Sequence, residues 1–251
     1  MLLPELTDGR ILSRYQRFLA DIELADGQVV TAHVPNTGSM AGCWQSGAAV
    51  QLSHSDNPRR KLAWTLERVD MGGGWIGVHT ARPNQVLAEA IALGNIAPLA
   101  GYRSLRREVR FAPPGLEPGR LDLALTDGGT LAAPMADALV EIKNVTLLDG
   151  ARLCFPDAQS ARGRKHLDLL IAAVGAGLRG VMLFALNRPE GRCFAPAWGV
   201  DPAYGDRLLA AAAAGVEIIA ARLVHRDHEI IAGELLPLDL SRPERGAATA
   251  Q

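Results

Sequence analysis

The chain has 251 residues, of which 48% are hydrophobic and 21% are charged, and its formal net charge is −1. This balance excludes a largely disordered chain, and the length suits two packed domains. A net charge so close to zero provides no overall positive field. Any nucleic-acid partner must therefore be bound by local clusters of basic residues.

Neither the hydropathy nor the cysteine pattern indicates a membrane or exported protein. No stretch is apolar for long enough to cross a bilayer, and the first residues lack the basic and apolar regions of an export signal. Cys43, Cys154 and Cys193 lie far apart, without the spacing of a zinc site or a disulfide framework. We therefore expect small buried thiols in a reducing cytoplasm.

Residues 1–80 contain a succession of short strands separated by turn residues, with no helix pattern. Five such strands predict a small closed OB-like barrel, because closure removes the strand edges; an SH3-like barrel is the alternative. The first strand is predicted to be long and bent. The predicted strands are Arg10–Leu24, Gln28–His33, Ala48–Ser53, Lys61–Val69 and Trp75–His79.

From residue 81 onward, strands alternate with helices, which predicts a mixed-sheet α/β domain over residues 81–240. A turn signal at Asp127–Gly129 and an excursion containing Pro134 separate two of the strands. The polar tail, 241–251, is predicted to be disordered. The predicted elements are helix Arg82–Ile96, strands Arg106–Phe111, Arg120–Leu125 and Ala138–Lys143, helix Ser160–Val174, strand Val181–Asn187, helix Tyr204–Ala214 and a final strand, Val216–Leu223.

A carboxylate and an ammonium group lie side by side on the strand Ala138–Lys143. Side chains alternate between the faces of a strand, so Glu141 and Lys143 share one face while Val140 and Ile142 point into the core. Without further context, such a pair is equally explained as a solvated ion pair on an exposed face.

The strand Arg120–Leu125 carries a single acidic residue, Asp122, among leucines. Alternation places the leucines inward and Asp122 alone on the opposite face. If this strand pairs with Ala138–Lys143, Asp122 and Glu141 come within reach of one metal ion; an edge strand with Asp122 facing solvent is the alternative. The leucines are Leu121, Leu123 and Leu125.

Two carboxylates, a backbone carbonyl and waters are the ligands that Mg²⁺ prefers, and Mn²⁺ is the other candidate ion. An ion bound beside a phosphodiester polarises the phosphoryl oxygen and activates a coordinated water. Lys143 would orient that water or offset charge on the phosphate. Asp122, Glu141 and Lys143 are therefore the candidate catalytic residues.

The order of elements around these residues is similar to the core of the PD-(D/E)xK nuclease superfamily. In that superfamily the first helix often supplies another acidic ligand, and this resemblance implies that role for Glu89. An ordinary exposed helix glutamate is the alternative.

Several exact strings resemble the sugar fermentation stimulation protein A family. The resemblance implies an OB-like domain joined to a PD-(D/E)xK-like domain and binding to double-stranded DNA with little sequence preference. It also implies a regulatory role in bacterial sugar use of the maltose type, and leaves open whether the site cleaves DNA or the protein is a non-catalytic regulator. The strings are His33–Met40, Ser55–Leu62, Val140–Leu147, Phe155–Ala158 and Arg162–Leu167.

Basic residues form several clusters that are candidates for phosphate contacts. Solvated faces explain any single cluster as well as nucleic-acid binding does. His166 has three possible roles: a phosphate contact, a general acid or a structural hydrogen bond. The segment Pro35–Ser39 is either an anion-binding nest or a plain turn. The clusters are Arg10, Arg14 and Arg17; Arg59, Arg60 and Lys61; Arg103, Arg106, Arg107 and Arg110; and Arg162, Arg164 and Lys165. The preferred candidates among them are Arg59, Arg60, Lys61, Arg164 and Lys165.

Overall fold

A computed structural model of the chain describes residues 1–36, 38–128 and 137–243. The predicted excursion around Pro134 and residues 244–251 of the predicted tail lie outside these ranges. The strands are β1 (Leu6–Tyr15), β2 (Leu19–Leu24), β3 (Val29–His33), β4 (Ala49–His54), β5 (Trp64–Asp70), β6 (Trp75–Gly77), β7 (Ser104–Phe111), β8 (Gly119–Thr126), β9 (Ala138–Val145), β10 (Leu147–Asp149), β11 (Arg152–Phe155), β12 (Arg179–Leu186), β13 (Cys193–Pro196), β14 (Glu217–His225) and β15 (Ile230–Leu235). The helices are α1 (Arg82–Ala92), α2 (Ala161–Gly175) and α3 (Pro202–Ala213).

The first part of the chain is a closed barrel, as predicted. The strand order is β3-β2-β1-β4-β5-β6, and a parallel pairing of β3 with β5 joins the ends of a five-stranded ring, with β6 paired outside it. Apolar side chains that alternate along these strands fill the interior, among them Ile11, Ile22, Leu52 and Leu66. Closure leaves the ring without a free strand edge.

The predicted single strand Arg10–Leu24 is wrong, because this segment belongs to two antiparallel strands, β1 and β2. The chain reverses through Gln16 and Arg17, which have φ angles of 49° and 66°. Turns of this kind usually contain Gly, Asn or Asp, which tolerate positive φ. The sequence therefore lacks the usual signal for this reversal.

The second part is a mixed-sheet α/β domain, as predicted, with the strand order β15-β14-β12-β9-β8-β7. The central strands β9, β12 and β14 run parallel, and their neighbours at both edges are antiparallel. Helices α2 and α3 pack on one face of the sheet and α1 on the other. Because both faces are covered, β9 and β12 are almost wholly buried.

Two features of this domain differ from the predicted order of elements. The predicted final strand, Val216–Leu223, corresponds to β14, and one more strand, β15, follows it. β15 was not predicted because Gly233 interrupts its apolar pattern. A small sheet, β10-β11-β13, was also not predicted because its strands have only three or four residues. In the part of the chain that the structure describes, no helix is long and apolar enough to span a membrane.

Buried polar contacts join the barrel to the α/β domain. The guanidinium of Arg68, which is 1% exposed, donates to the carbonyl oxygens of Arg226 and Asp227 at 2.7 and 3.0 Å. Arg82, at the start of α1, forms an ion pair with the buried Glu67 of the barrel at 2.6 Å. Buried charges are stable only when paired in this way, so the two domains have a defined relative position.

A close backbone approach between Gly77 and Asn187 completes this junction. The Asn187 amide donates to the Gly77 carbonyl at 2.9 Å, and its carbonyl oxygen lies 2.7 Å from Nε2 of His225. A Cβ atom on Gly77 would lie 2.3 Å from that oxygen of Asn187. Only glycine fits at this position without displacing a buried hydrogen-bonded side chain.

We therefore expect Gly77→Ala to lower the free energy of unfolding by about 1–3 kcal/mol, the usual cost of overpacking. Gly175→Ala is the matched control, because a Cβ there meets no heavy atom within 4 Å and alanine is favoured in helices. Urea unfolding followed by tryptophan fluorescence measures both. Equal stability of Gly77→Ala and the parent chain would contradict this account of the junction.

Candidate functional site

A polar cleft of about 550 Å³ lies where the barrel meets the α/β domain. Its walls come from the loop after β3, the start of α1, strands β8 and β9, the segment after β11 and the first turns of α2. The side chains that bear on its chemistry are Asn36, Asn84, Asp122, Glu141, Lys143, Asp157, Gln159, Arg162 and His166.

Asp122 lies where β8 separates from β9. The two strands pair only from Leu123 opposite Val140 to the end of β8 near Leu125. At Asp122 the carboxylate replaces a strand carbonyl, and its Oδ2 accepts a hydrogen bond from the backbone N–H of Ile142 at 2.7 Å. The strands thus part without leaving that N–H unsatisfied.

The departure of β8 also changes the face to which its leucines point. Leu123 and Leu125 pack under α1, whereas Leu121 packs under α2 and α3. The prediction that all three share one inward face is therefore wrong. Glu108, which the flanking pairs place opposite Asp122, has a φ of 57°, and this unusual backbone accompanies the switch.

The carboxyl group of Asp122 is partly buried, and its Oδ1 accepts a hydrogen bond from the Asn84 side chain at 2.7 Å. Burial raises the pKa of Asp122 to about 7, and the negative charge of Glu141 contributes in the same direction. The hydrogen bond from Ile142 and the charge of Lys143 oppose these effects. Asp122 is thus a carboxyl group that titrates near neutral pH.

Glu141 contacts both Lys143 and His166. Nζ of Lys143 lies 2.5 Å from Oε1 of Glu141 and 3.0 Å from Nδ1 of His166, and the same His166 nitrogen also contacts Oε1. Burial acts to raise the pKa of Glu141, but the His166 hydrogen bond and the Lys143 charge outweigh it and lower that pKa. Glu141 is therefore ionised although it is only 2% exposed.

One oxygen of this carboxylate, Oε2 of Glu141, is buried and has no hydrogen-bond partner among the described residues. A buried oxygen of an ionised carboxylate is costly without a partner. Within the described ranges, no group of three or more His, Cys, Asp and Glu side chains is arranged to hold a metal. Glu141 and Asp122 nevertheless suit an ion that keeps most of its coordination sites for water, as Mg²⁺ does.

The structure brings Asp122, Glu141 and Lys143 together in one cleft but places Glu89 elsewhere. Glu89 is exposed, and its carboxylate lies 3.2 Å from the amino group of Met1. The residue of α1 that reaches Asp122 is Asn84. Glu89 follows five positions later, which turns it about 140° around the helix.

Arg164 and Lys165 do not line the cleft. Arg164 donates to the carboxylate of Asp201 at 2.8 and 3.0 Å, and Lys165 is paired with Glu117. Arg162 lines the cleft instead, because positions four apart share a helix face and Arg162 therefore lies beside His166.

The other preferred cluster, Arg59, Arg60 and Lys61, lies on the barrel between β4 and β5. Arg60 donates to the hydroxyl of Thr65 at 2.6 Å, and Arg60 and Lys61 line a separate depression beside His33. This depression is distinct from the cleft, although the chain continues from His33 to the cleft residue Asn36.

Within the segment Pro35–Ser39, the structure describes every residue except Thr37. The Gly38 N–H donates to the Asn36 side chain at 2.9 Å, so it is not free for an anion. The hydroxyl of Ser39 lies 3.3 Å from the Asp157 carboxylate. The barrel thereby contributes one wall of the cleft.

Sequence reasoning missed Asn84 and Asp157 and left His166 open. Asp157 stands in one of the strings that carry the family resemblance, and His166 stands four positions after Arg162 in another. Those strings were the available signal. No pattern pointed to Asn84, because its role depends on how α1 is rotated against β8.

Comparison with known proteins agrees with this architecture of an OB domain followed by a mixed-sheet α/β domain. The model of the "SfsA N-terminal OB domain" matches residues 12–78, and that of the "Sugar fermentation stimulation protein RE domain" matches residues 81–229. The chain belongs to the sugar fermentation stimulation protein family.

Relatives cover almost the whole chain. A sugar fermentation stimulation protein homolog from Geobacter sulfurreducens is 47% identical over 239 residues, covering 95% of this chain and 98% of the relative. One from Geobacter metallireducens is 46% identical over 241 residues, covering 96% and 100%. The structure of Pyrococcus furiosus SfsA in complex with Ca²⁺ is similar in fold, with a TM-score of 0.81, 24% identity and coverage of 95% and 98%.

The raised pKa of Asp122 predicts how stability depends on pH. Its folded pKa of about 7 exceeds the ordinary 3.8, so the stability that its neutral form provides is lost as pH rises through the folded value. The shift corresponds to an upper bound of about 4 kcal/mol. Asp122→Asn, in which Asn84 can turn its amide to keep its hydrogen bond, should not show this loss.

Urea titrations in EDTA between about pH 5 and pH 8 measure this effect. We expect Asp122→Asn to gain stability relative to the parent chain as pH rises. Asp26→Asn, at an exposed turn, is the control and should follow the parent chain. Parallel curves of unfolding free energy against pH for Asp122→Asn and the parent would show that ionisation of Asp122 does not destabilise the folded chain.

Proposed function

We propose that this chain is a DNA-binding protein whose cleft is a phosphodiesterase site dependent on a divalent cation, Mg²⁺ or Mn²⁺. The observation that carries the proposal is the buried Oε2 of the ionised Glu141, which has no hydrogen-bond partner among the residues that the structure describes and is close to a second carboxyl group, that of Asp122. A divalent cation would be a partner for this oxygen. The Ca²⁺ in the structure of the Pyrococcus furiosus relative supports a cation in this family.

Asp122 and Glu141 would hold the ion, which when bound supplies polarisation of a phosphoryl oxygen and a lowered pKa of coordinated water. Lys143 is positioned by Glu141 and His166, so its ammonium group is directed at the cleft to orient a water or offset charge on the phosphate. Arg162 at the rim binds a phosphate of the same strand.

The proposed substrate is double-stranded DNA without strong sequence preference. The cleft is lined mainly by polar side chains and holds Arg162, which forms no ion pair within the described residues. Contacts of this kind bind phosphates without reading bases. Arg59 and Lys61 on the barrel form no ion pair within the described residues and supply further phosphate contacts. The three free cysteines accord with a cytoplasmic place of action.

The second candidate is a non-catalytic DNA-binding regulator of sugar metabolism. It is favoured by the contacts of Lys143, whose ammonium group is already held by Glu141 and His166. An ammonium so engaged has fewer protons to offer a substrate. Cleavage assays separate the two candidates.

We expect the parent chain to cleave DNA with Mg²⁺ or Mn²⁺, and Lys143→Ala to lose about 100-fold or more of that rate while still binding DNA. Supercoiled, linear and single-stranded DNA and RNA are the substrates to compare. Arg207→Ala is the control, because Arg207 is a basic residue paired with Asp168 outside the cleft. Binding without any metal-dependent cleavage would favour the non-catalytic regulator.

The metal site has a separate test that does not depend on cleavage. A ligand that binds only the folded state raises its stability, so Mn²⁺ should raise the melting temperature of the parent chain and not that of Glu141→Gln. Glu89→Gln removes the same charge from an exposed position outside the cleft and should retain the full shift. Equal shifts in all three proteins would place the ion away from Glu141.

A further inference from the structure

Free positive charge is unevenly distributed over the described residues. Ten arginines form ion pairs with carboxylates. Four more donate hydrogen bonds to other oxygen atoms: Arg10, Arg14, Arg60 and Arg68. Four arginines on or just before β7 form no ion pair or side-chain hydrogen bond in the part of the chain that the structure describes, and all four are exposed. We refer to Arg103, Arg106, Arg107 and Arg110 as the β7 arginines.

The β7 arginines lie beside the cleft. β7 is the edge strand next to β8, and Glu108 stands opposite Asp122 between the pairs formed by Arg107 with Leu123 and Val109 with Leu121. Neighbouring strands are about 4.8 Å apart. The backbone of β7 therefore lies one strand spacing from the backbone of the strand that carries Asp122, the residue that we propose as a metal ligand.

The row has the length of a nucleic-acid contact. Arg103 and Arg110 are separated by seven residues, which spans about 23 Å in an extended strand. This is the rise of roughly seven nucleotides of one strand of duplex. Glu108 is the one acidic residue within the row, and its carboxylate is paired with Arg120 at 3.3 Å.

Charged residues on an edge strand also prevent pairing with other molecules. The other edge strand of the same sheet, β15, provides the comparison. Its sequence Ile230–Leu235 contains one charged residue, Glu234, which is paired with Arg222. The N-terminal residues cover part of this edge, because Met1 bonds to the backbone of Ile230 and the Leu3 N–H donates to His228. The charge on β7 therefore fits edge protection as well as phosphate binding, and the experiment below separates the two.

We infer that the β7 arginines bind the sugar-phosphate backbone of the nucleic acid that enters the cleft. This inference rests on the proposed function and extends it, because it assigns the backbone path to the β7 edge of the α/β domain. The path runs from the β7 arginines past Asp122 to Arg162 on α2.

The test compares two fourfold variants with equal change in charge. The first is Arg103→Gln, Arg106→Gln, Arg107→Gln and Arg110→Gln. The control is Arg152→Gln, Arg207→Gln, Arg226→Gln and Arg242→Gln, at positions paired with carboxylates. Fluorescence anisotropy with labelled duplex over a series of salt concentrations gives the dependence of affinity on salt.

Each phosphate contact adds about 0.9 to the slope of log affinity against log salt for duplex. We expect the first variant to reduce this slope by about 3 to 4 and its low-salt affinity more than tenfold. The control should keep the parent slope to within about one contact. Replacing the β7 arginines by lysine should restore most of the slope, since lysine keeps the charge.

Several results would overturn the inference. An unchanged slope in the first variant shows that the row makes no phosphate contact, and self-association of that variant on gel filtration then assigns the row to edge protection. If the first variant loses binding to phosphatidylserine vesicles and keeps its DNA binding, the β7 arginines bind an anionic membrane surface instead. If the parent chain itself binds no nucleic acid, the proposed function fails together with this inference. If the parent binds DNA and the first variant keeps the parent slope, only this inference fails.

Discussion

The hydrogen bond from the Ile142 N–H to the Asp122 carboxylate is the interaction on which the cleft depends. A strand can leave its neighbour only if the exposed backbone groups find other partners. Asp122 provides one through its side chain, so β8 departs from β9 at the level of Glu141 and Lys143. Without that departure, a continuous sheet would cover the position that these side chains now line.

The same arrangement brings two carboxyl groups, those of Asp122 and Glu141, close together in the cleft. Two carboxylates are held close together in a partly buried place, and the protein compensates only one of them: Lys143 and His166 keep Glu141 ionised, whereas burial raises the pKa of Asp122 to about 7. Carboxyl groups whose pKa values are pushed apart are characteristic of functional sites. The cation of the proposed function would offset the cost of holding these two carboxylates together.

Local periodicity was sufficient to predict the barrel, the mixed sheet and the side-by-side placement of Glu141 and Lys143. It failed where distant residues decide the outcome. The β1–β2 reversal uses positive φ at residues without a turn preference, and the face switch in β8 occurs opposite Glu108 of another strand. Arg164 is neutralised by a residue 37 positions away, Asp201, which no spacing rule reveals.

The barrel is part of the site and not an appended module. It supplies Ser39, whose hydroxyl contacts the Asp157 carboxylate, and its buried Arg68 makes two hydrogen bonds to the backbone of the other domain. A cleft with walls from two domains keeps its geometry only if their junction is rigid. The buried Glu67–Arg82 pair and the close approach of Gly77 to Asn187 supply that rigidity. A change deep in the junction should therefore alter the cleft as directly as a change in its lining.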